Sequence, residues 1–197
     1  MTLPTTPSIC PETPAAIADL PCENCPTGRS LAAESFDCRA FRDTLGRFAT
    51  GVTVITAVSA SGEPVGLTVS SFNSVSLDPP LILWSLSANS PNLAAFRDAT
   101  HYAVNVLAAG QQEISNRFAA RTGDRFAGIE LRQGAHGLPL IEGCCAWFEC
   151  TNELHYPGGD HLILIGRVQH FMQGESLAPL IFHTGRYREL QENQQED

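Results

Sequence analysis

The sequence predicts a mainly β protein, an antiparallel barrel with helices inserted between its strands. Three observations carry that reading. Runs rich in β-branched and aromatic residues recur from Val52 to His183, with turn residues between them. The helical patterns fall singly between these runs, with none of the regular strand–helix–strand alternation of a parallel sheet. No Gly-x-Gly-x-x-Gly loop joins a strand to a helix, so a Rossmann-type dinucleotide site is unsupported.

In chain order, Phe41, Leu45 and Phe48 recur at helical spacing, and this first helix is expected to end near Thr50-Gly51. Val52 to Val58 reads as a strand. Ser61-Gly62-Glu63-Pro64 turns the chain into a second strand, Val65 to Val69. Val75-Ser76-Leu77 and Leu81 to Leu86 are two more strands. Pro91 to Arg97 is a short helix, with Pro91 in the first turn, where its missing N–H is not needed. Tyr102 to Leu107 alternates as a strand does, and Gln111 to Ala120 is an amphipathic helix. Arg121 to Gly137, rich in glycine and charge, reads as a long functional loop. Cys144 to Tyr156 and His161 to Phe171 are long strands joined by a Pro-Gly-Gly turn, and Leu180 to His183 is expected to close the sheet.

The 197 residues suit one domain of ordinary size. Residues 1 to 34 stand apart, with prolines at 4, 7, 11, 14, 21 and 26 and few large apolar side chains, and are expected to be a mobile extension. The domain is placed at 36–190, and the polar stretch 191–197 is expected to be a loose tail. The formal net charge is −9, and all twelve basic residues are Arg. An acidic chain without basic clusters is a poor nucleic-acid binder. No apolar stretch is long enough to span a bilayer, and no secretion signal is evident, so a cytoplasmic location is expected. The seven Cys are an odd count, which argues against a complete set of disulfides. Cys10, Cys22, Cys25 and Cys38 form one close pair and two singles rather than the two pairs of a zinc ribbon, so no metal is expected. Cys144, Cys145 and Cys150 are expected in the core, as are Trp84 and Trp147.

Two segments carry chemistry. In Gly66 to Pro80, Gly66 permits close approach, Thr68, Ser70 and Ser71 offer hydroxyls, and Phe72 offers an apolar face. A planar heterocycle with carbonyls and ring nitrogens needs this mixture, although the same residues also suit a solvated strand face. In the second segment, Gly159-Asp160-His161 follows Tyr156-Pro157-Gly158 and opens the apolar run Leu162 to Val168, so an Asp and a His stand at the mouth of a buried strand. Asn105 lies within an apolar strand, where binding and a structural hydrogen bond are equally compatible with a buried amide.

Phe48 to Thr56, Gly66 to Pro80, Tyr102 to Leu107, Arg117-Phe118-Ala119 and Gly159-Asp160-His161, in this order, resemble the flavin reductase family of FMN-binding split-barrel proteins. Its members include reductase components of two-component flavin monooxygenases, such as that of 4-hydroxyphenylacetate monooxygenase. The resemblance runs from about Phe36 to Leu190. It implies an antiparallel Greek-key split barrel, a homodimer, and transfer of hydride from NADH or NADPH to FMN or FAD, with reduced flavin passed to a monooxygenase. Thr68, Val69, Ser70 and Ser71 then match the segment along the flavin ring, with Thr53, Gly66 and Asn105 counted beside it. Ser85 and Leu86 continue the pocket. Ser87, Asn89 and Ser90 match the ribityl-phosphate end, ahead of the Pro91 helix. Gly159, Asp160 and His161 fall to the nicotinamide side, joined by Tyr187, with His161 as the residue nearest the chemistry. Without Lys, the flavin phosphate must meet an Arg, such as Arg97 or one from elsewhere, or backbone donors alone. Two other readings stay open: a non-catalytic flavin-binding module, and a flavoenzyme with tightly held FMN that reduces another acceptor.

Overall fold

The computed structural model describes residues 37–175 and 178–190. The expectations for residues 1–34, with Cys10, Cys22 and Cys25, and for the tail 191–197 lie outside them. In chain order the elements are α1 (Cys38–Leu45), β1 (Thr50–Gly51), β2 (Thr53–Val58), β3 (Pro64–Val69), β4 (Asn73–Leu77), β5 (Pro80–Ser87), α2 (Leu93–Asp98), β6 (His101–Val106), α3 (Gln112–Ala119), β7 (Leu131–Gln133), β8 (Pro139–Ile141), β9 (Ala146–Gly158), β10 (His161–Gln173), β11 (Ile181–His183) and β12 (Arg186–Arg188). Seven strands form one sheet in the order β3-β2-β6-β9-β10-β5-β4. Every neighbouring pair in it is antiparallel. The edge strands β3 and β4 do not pair with each other, so this is a split barrel.

The central strands β2 and β6 are buried on both faces. Val54 joins Leu107, Ile141 and Trp147 in one core, and its neighbour Ile55 joins Trp84, Phe96 and Tyr102 in the other. That explains the near-continuous apolar run of β2, where a half-exposed strand would alternate. Strand β5 does alternate, burying Ile82, Trp84 and Leu86 between less buried neighbours. Cys144 and Cys150 are buried, and burial pushes both thiols up to about 12. Trp84 and Trp147 are core residues, as the sequence predicts.

Four boundaries differ from the sequence reading. The first helix stops at Leu45, where the Gly46 N–H bonds back to the Arg42 carbonyl at 2.9 Å. Thr50 and Gly51 pair instead with Phe182 and Ile181 as a strand, so Phe48 leaves the helical face. The short second helix begins at Leu93, because Ser90 accepts the Asn92 N–H at 3.3 Å and holds Pro91 in the turn before it. Residues 121–137 are not loop throughout, since β7 pairs with β8. Finally, β11 does not close the large sheet; it pairs with β1 and β12 in a separate three-stranded sheet. The ends of β2 and β6 direct this, as Val52 donates to the Leu180 carbonyl and Leu180 donates to that of Leu107, at 3.0 and 2.8 Å.

Candidate functional site

The C-terminal half of β3 faces α3. Thr68 donates from Oγ1 to the Ser115 carbonyl at 2.6 Å, which ties strand to helix. Buried Gly66 makes this approach possible: a Cβ there would lie 2.5 Å from the Phe118 ring. The close approach expected at Gly66 is therefore to the protein's own Phe118.

Along this seam lie two adjoining cavities that share Thr68 and Ala119 as walls. The smaller, of about 190 Å³, is lined by Val52, Thr68, Val69, Ser70, Ser115, Ala119, Phe182 and Tyr187. Its apolar walls and few hydroxyls suit a flat, partly polar ring. Tyr187 is fixed in this wall from both ends. Its ring meets Phe182 edge-on at 5.5 Å, and its hydroxyl donates to Asn116 Oδ1 at 2.9 Å. A phenol has one proton, so the 2.8 Å contact between Ser115 Oγ and Tyr187 has the buried serine as donor. The larger cavity, of about 580 Å³, is bounded by Ser87, Asn89, Ser90, Arg121 and Arg125 among others. Ser87 Oγ accepts the Asn89 N–H and Ser90 Oγ accepts the Asn92 N–H, each at 3.3 Å. Both hydroxyl protons remain available to an acceptor in the cavity.

The hairpin between β9 and β10 brings the third component. Gly159 takes φ +68°, and with Asp160 forms a two-residue turn that pairs His161 with Gly158 on one side and with Ser87 of β5 on the other. The Ala88 N–H donates to the Asp160 carbonyl at 2.9 Å, which fastens the hairpin tip to the end of β5. Asp160 Oδ1 lies 2.7 Å from His161 Nδ1. That hydrogen bond, more than the charge of the imidazole, holds the Asp160 carboxyl below its ordinary range. An ionised carboxylate only accepts, so His161 Nδ1 carries the proton of this hydrogen bond and Nε2 is the ring nitrogen left to a ligand. The imidazole is 43% exposed and so open to a ligand.

The predicted site residues thus divide. Thr68, Val69, Ser70, Ser87, Asn89, Ser90 and Tyr187 line the paired cavities, and Gly159, Asp160 and His161 stand at the tip beside Ser87. The side chains of Thr53, Ser71, Ser85, Leu86 and Asn105 do not reach the cavity walls. Buried Thr53 donates to the Val69 carbonyl at 3.3 Å, and Leu86 is core. Ser71 Oγ donates to the Ser85 carbonyl at 3.2 Å and accepts its N–H at 3.0 Å, so it stitches β5 to the end of β3. Asn105 is fully buried: its amide donates to the Val54 carbonyl and Thr56 Oγ1 and accepts the Ile141 N–H at 2.8 Å, which is the structural alternative. Tyr187 belongs to the smaller cavity, not to the hairpin tip. Arg97 chelates Asp98 at 2.7 and 3.1 Å and is not on the cavity wall. Sequence reasoning did not single out Val52, Ser115, Phe182, Arg121 or Arg125. Only the Arg117-Phe118-Ala119 segment and the charged loop after it pointed to that wall.

A split barrel with a small cavity walled by apolar groups and hydroxyls, a larger one bordered by two Arg, and an imidazole on the adjoining hairpin tip has the make-up of a site for a planar heterocycle. The chain belongs to the flavin reductase like domain family, whose model matches residues 45–191. It is 45% identical over 149 residues to the reductase component of the flavin-dependent trigonelline monooxygenase of Acinetobacter baylyi, a match that covers 76% of this chain and 48% of that one. It is 44% identical over 149 residues to the FMN reductase (NADH) SmoA of Agrobacterium fabrum, covering 76% and 84% of the two chains. Among solved structures, the NADH:FAD oxidoreductase SgcE6 of Streptomyces globisporus C-1027, in complex with NAD and FAD fragments, superposes with a TM-score of 0.75 at 36% identity, over 84% of this chain and 100% of that one. The chain thus spans about half the length of some relatives and nearly all of others.

Proposed function

We propose that this chain is an NAD(P)H:flavin oxidoreductase that accepts FMN or FAD and hands the reduced flavin to a monooxygenase. The flavin ring enters the smaller cavity, and its ribityl-phosphate lies toward Ser87, Asn89 and Ser90. The bound flavin supplies the hydride acceptor, which no side chain provides. The protein's part is placement. Val52, Val69 and Phe182 offer apolar contact, Ser70 and Ser115 offer polar edges, and Tyr187 fixes the far wall. Thr53, Ser71, Ser85 and Leu86 support that wall from behind. Gly159 lets the nicotinamide approach the backbone, and Asp160 holds His161 so that Nε2 accepts from the carboxamide. Positioning of this kind supplies much of the barrier reduction in a transfer between stacked rings.

One observation carries the reading: Ser87 lines the larger cavity and is also the cross-strand partner of His161, so the two ligand regions meet at one residue. The monooxygenase partner is favoured by the reductase-component relative, and we place the enzyme, as a homodimer, in the cytoplasm. The test follows NADH and NADPH absorbance with purified protein and FMN, FAD or riboflavin in every combination. Flavin-dependent oxidation with at least one nucleotide is expected. Its absence from all combinations overturns the reading, whereas flavin binding without oxidation favours a non-catalytic module.

A further inference from the structure

We propose that Arg121 senses the flavin phosphate and sets the preference for phosphorylated flavins over riboflavin. The proposal rests on the flavin reading above and adds a residue and a selectivity to it.

Two guanidinium groups border the larger cavity, and their commitments differ. Arg125 donates from Nε and Nη2 to the Ala120 carbonyl at 3.1 and 2.7 Å, and from Nη1 to the Gly66 carbonyl at 3.1 Å. Its three nitrogens thus staple the segment after α3 to β3. Turning that fork toward a ligand would leave the part-buried Gly66 carbonyl without its side-chain partner. Arg121 stands on the same cavity wall, is exposed, and forms no hydrogen bond or ion pair with any described residue. Its fork is free to meet an anion.

The surroundings of Arg121 fit an anion as well. Ser87 and Ser90 accept backbone N–H groups, so their hydroxyl protons stay free to donate, and the Asn89 side chain is likewise uncommitted among the described residues. Among the described residues, no Asp or Glu lines this cavity to oppose a phosphate. The chain has no Lys, so Arg is its permanently charged basic side chain, and the planar fork of guanidinium matches phosphate oxygens in pairs. The net charge of −9 makes this local cation matter more, since the long-range field of the molecule opposes an anionic ligand.

Riboflavin, FMN and FAD share the ring and ribityl chain and differ in phosphate, so they separate ring recognition from charge recognition. Dissociation constants for the three would be measured by flavin fluorescence on the full chain, the Arg121→Gln and Arg121→Lys variants, and an Arg97→Gln control. A charge-assisted hydrogen bond corresponds to about a tenfold to hundredfold change in affinity. The expected result is that Arg121→Gln weakens FMN by about that factor, leaves riboflavin unchanged and flattens the salt dependence of FMN binding. Arg121→Lys restores part of the loss, and Arg97→Gln changes nothing. Equal weakening of riboflavin and FMN, or no change in either, overturns the role of Arg121 while leaving the flavin site standing. Failure of the unaltered chain to bind any of the three overturns both.

Discussion

His161 depends on its neighbours for its orientation. Asp160 accepts a hydrogen bond from Nδ1 and Ser87 fixes the register of the residue, so only Nε2 is left for a ligand. Replacing His161 with Ala is expected to raise KM for NADH or NADPH by about tenfold, the loss of one good hydrogen bond, while the dissociation constant for FMN stays within about twofold. Steady-state kinetics beside flavin fluorescence would check this, and equal losses on both ligands would refute the division of roles. At this scale the sequence was informative where a polar residue had no packing reason, as at Asp160 and His161. It was misleading where partners lay far along the chain. Asn105 bonds to Val54, Thr56 and Ile141, and its spacing from them could not be read as contact. Arg121 and Arg125 are alike in sequence, and only the structure shows that Arg125 is committed to the Ala120 and Gly66 carbonyls while Arg121 has no partner among the described residues.

Among elements, the junction of β3 with α3 governs the site, because it presents Thr68 from one side and Ser115 and Ala119 from the other. Gly66→Ala is expected to wedge this seam apart. The added methyl would lie 2.5 Å from the Phe118 ring and 3.2 Å from Phe126, and those two rings already pack edge-on at 4.9 Å, so neither has much room to retreat. Overpacking of this kind costs about 1–3 kcal/mol. A lowered melting temperature together with weaker flavin binding is the predicted outcome; unchanged values of both would show that α3 shifts freely. Most strands were legible because β-branched runs stand between turn residues. The end of α1 was not, because Phe48 continues a helical spacing in sequence while Thr50 and Gly51 are claimed by β11, more than a hundred residues later. Sheet membership of Leu180 to His183 was hidden for the same reason: strand character is local, but partner choice is not.

For the whole molecule, the notable surface is apolar. Leu45 and Phe48 are 57% and 75% exposed, and Leu77 and Phe171 are 94% and 72% exposed. Singly exposed apolar side chains are ordinary, whereas contiguous ones mark interaction surfaces. In keeping with the proposed homodimer, sedimentation analysis is expected to give a dimer mass for the full chain. The Leu45→Ser, Phe48→Ser double variant should move the balance toward monomer; a monomeric parent chain would remove the proposal. The barrel was legible from the count and spacing of strands, whereas the exposure of particular apolar side chains leaves little trace in a linear pattern. One consequence follows from the two-residue link between β9 and β10. Sheet faces alternate with every step along a strand, so a single extra amino acid in that link, with the two-residue turn kept, would carry the imidazole one step along β10 to the opposite side and set a different residue against Ser87 at the end of β5. The identity of the side chain presented at this tip is thus tied to the length of the link.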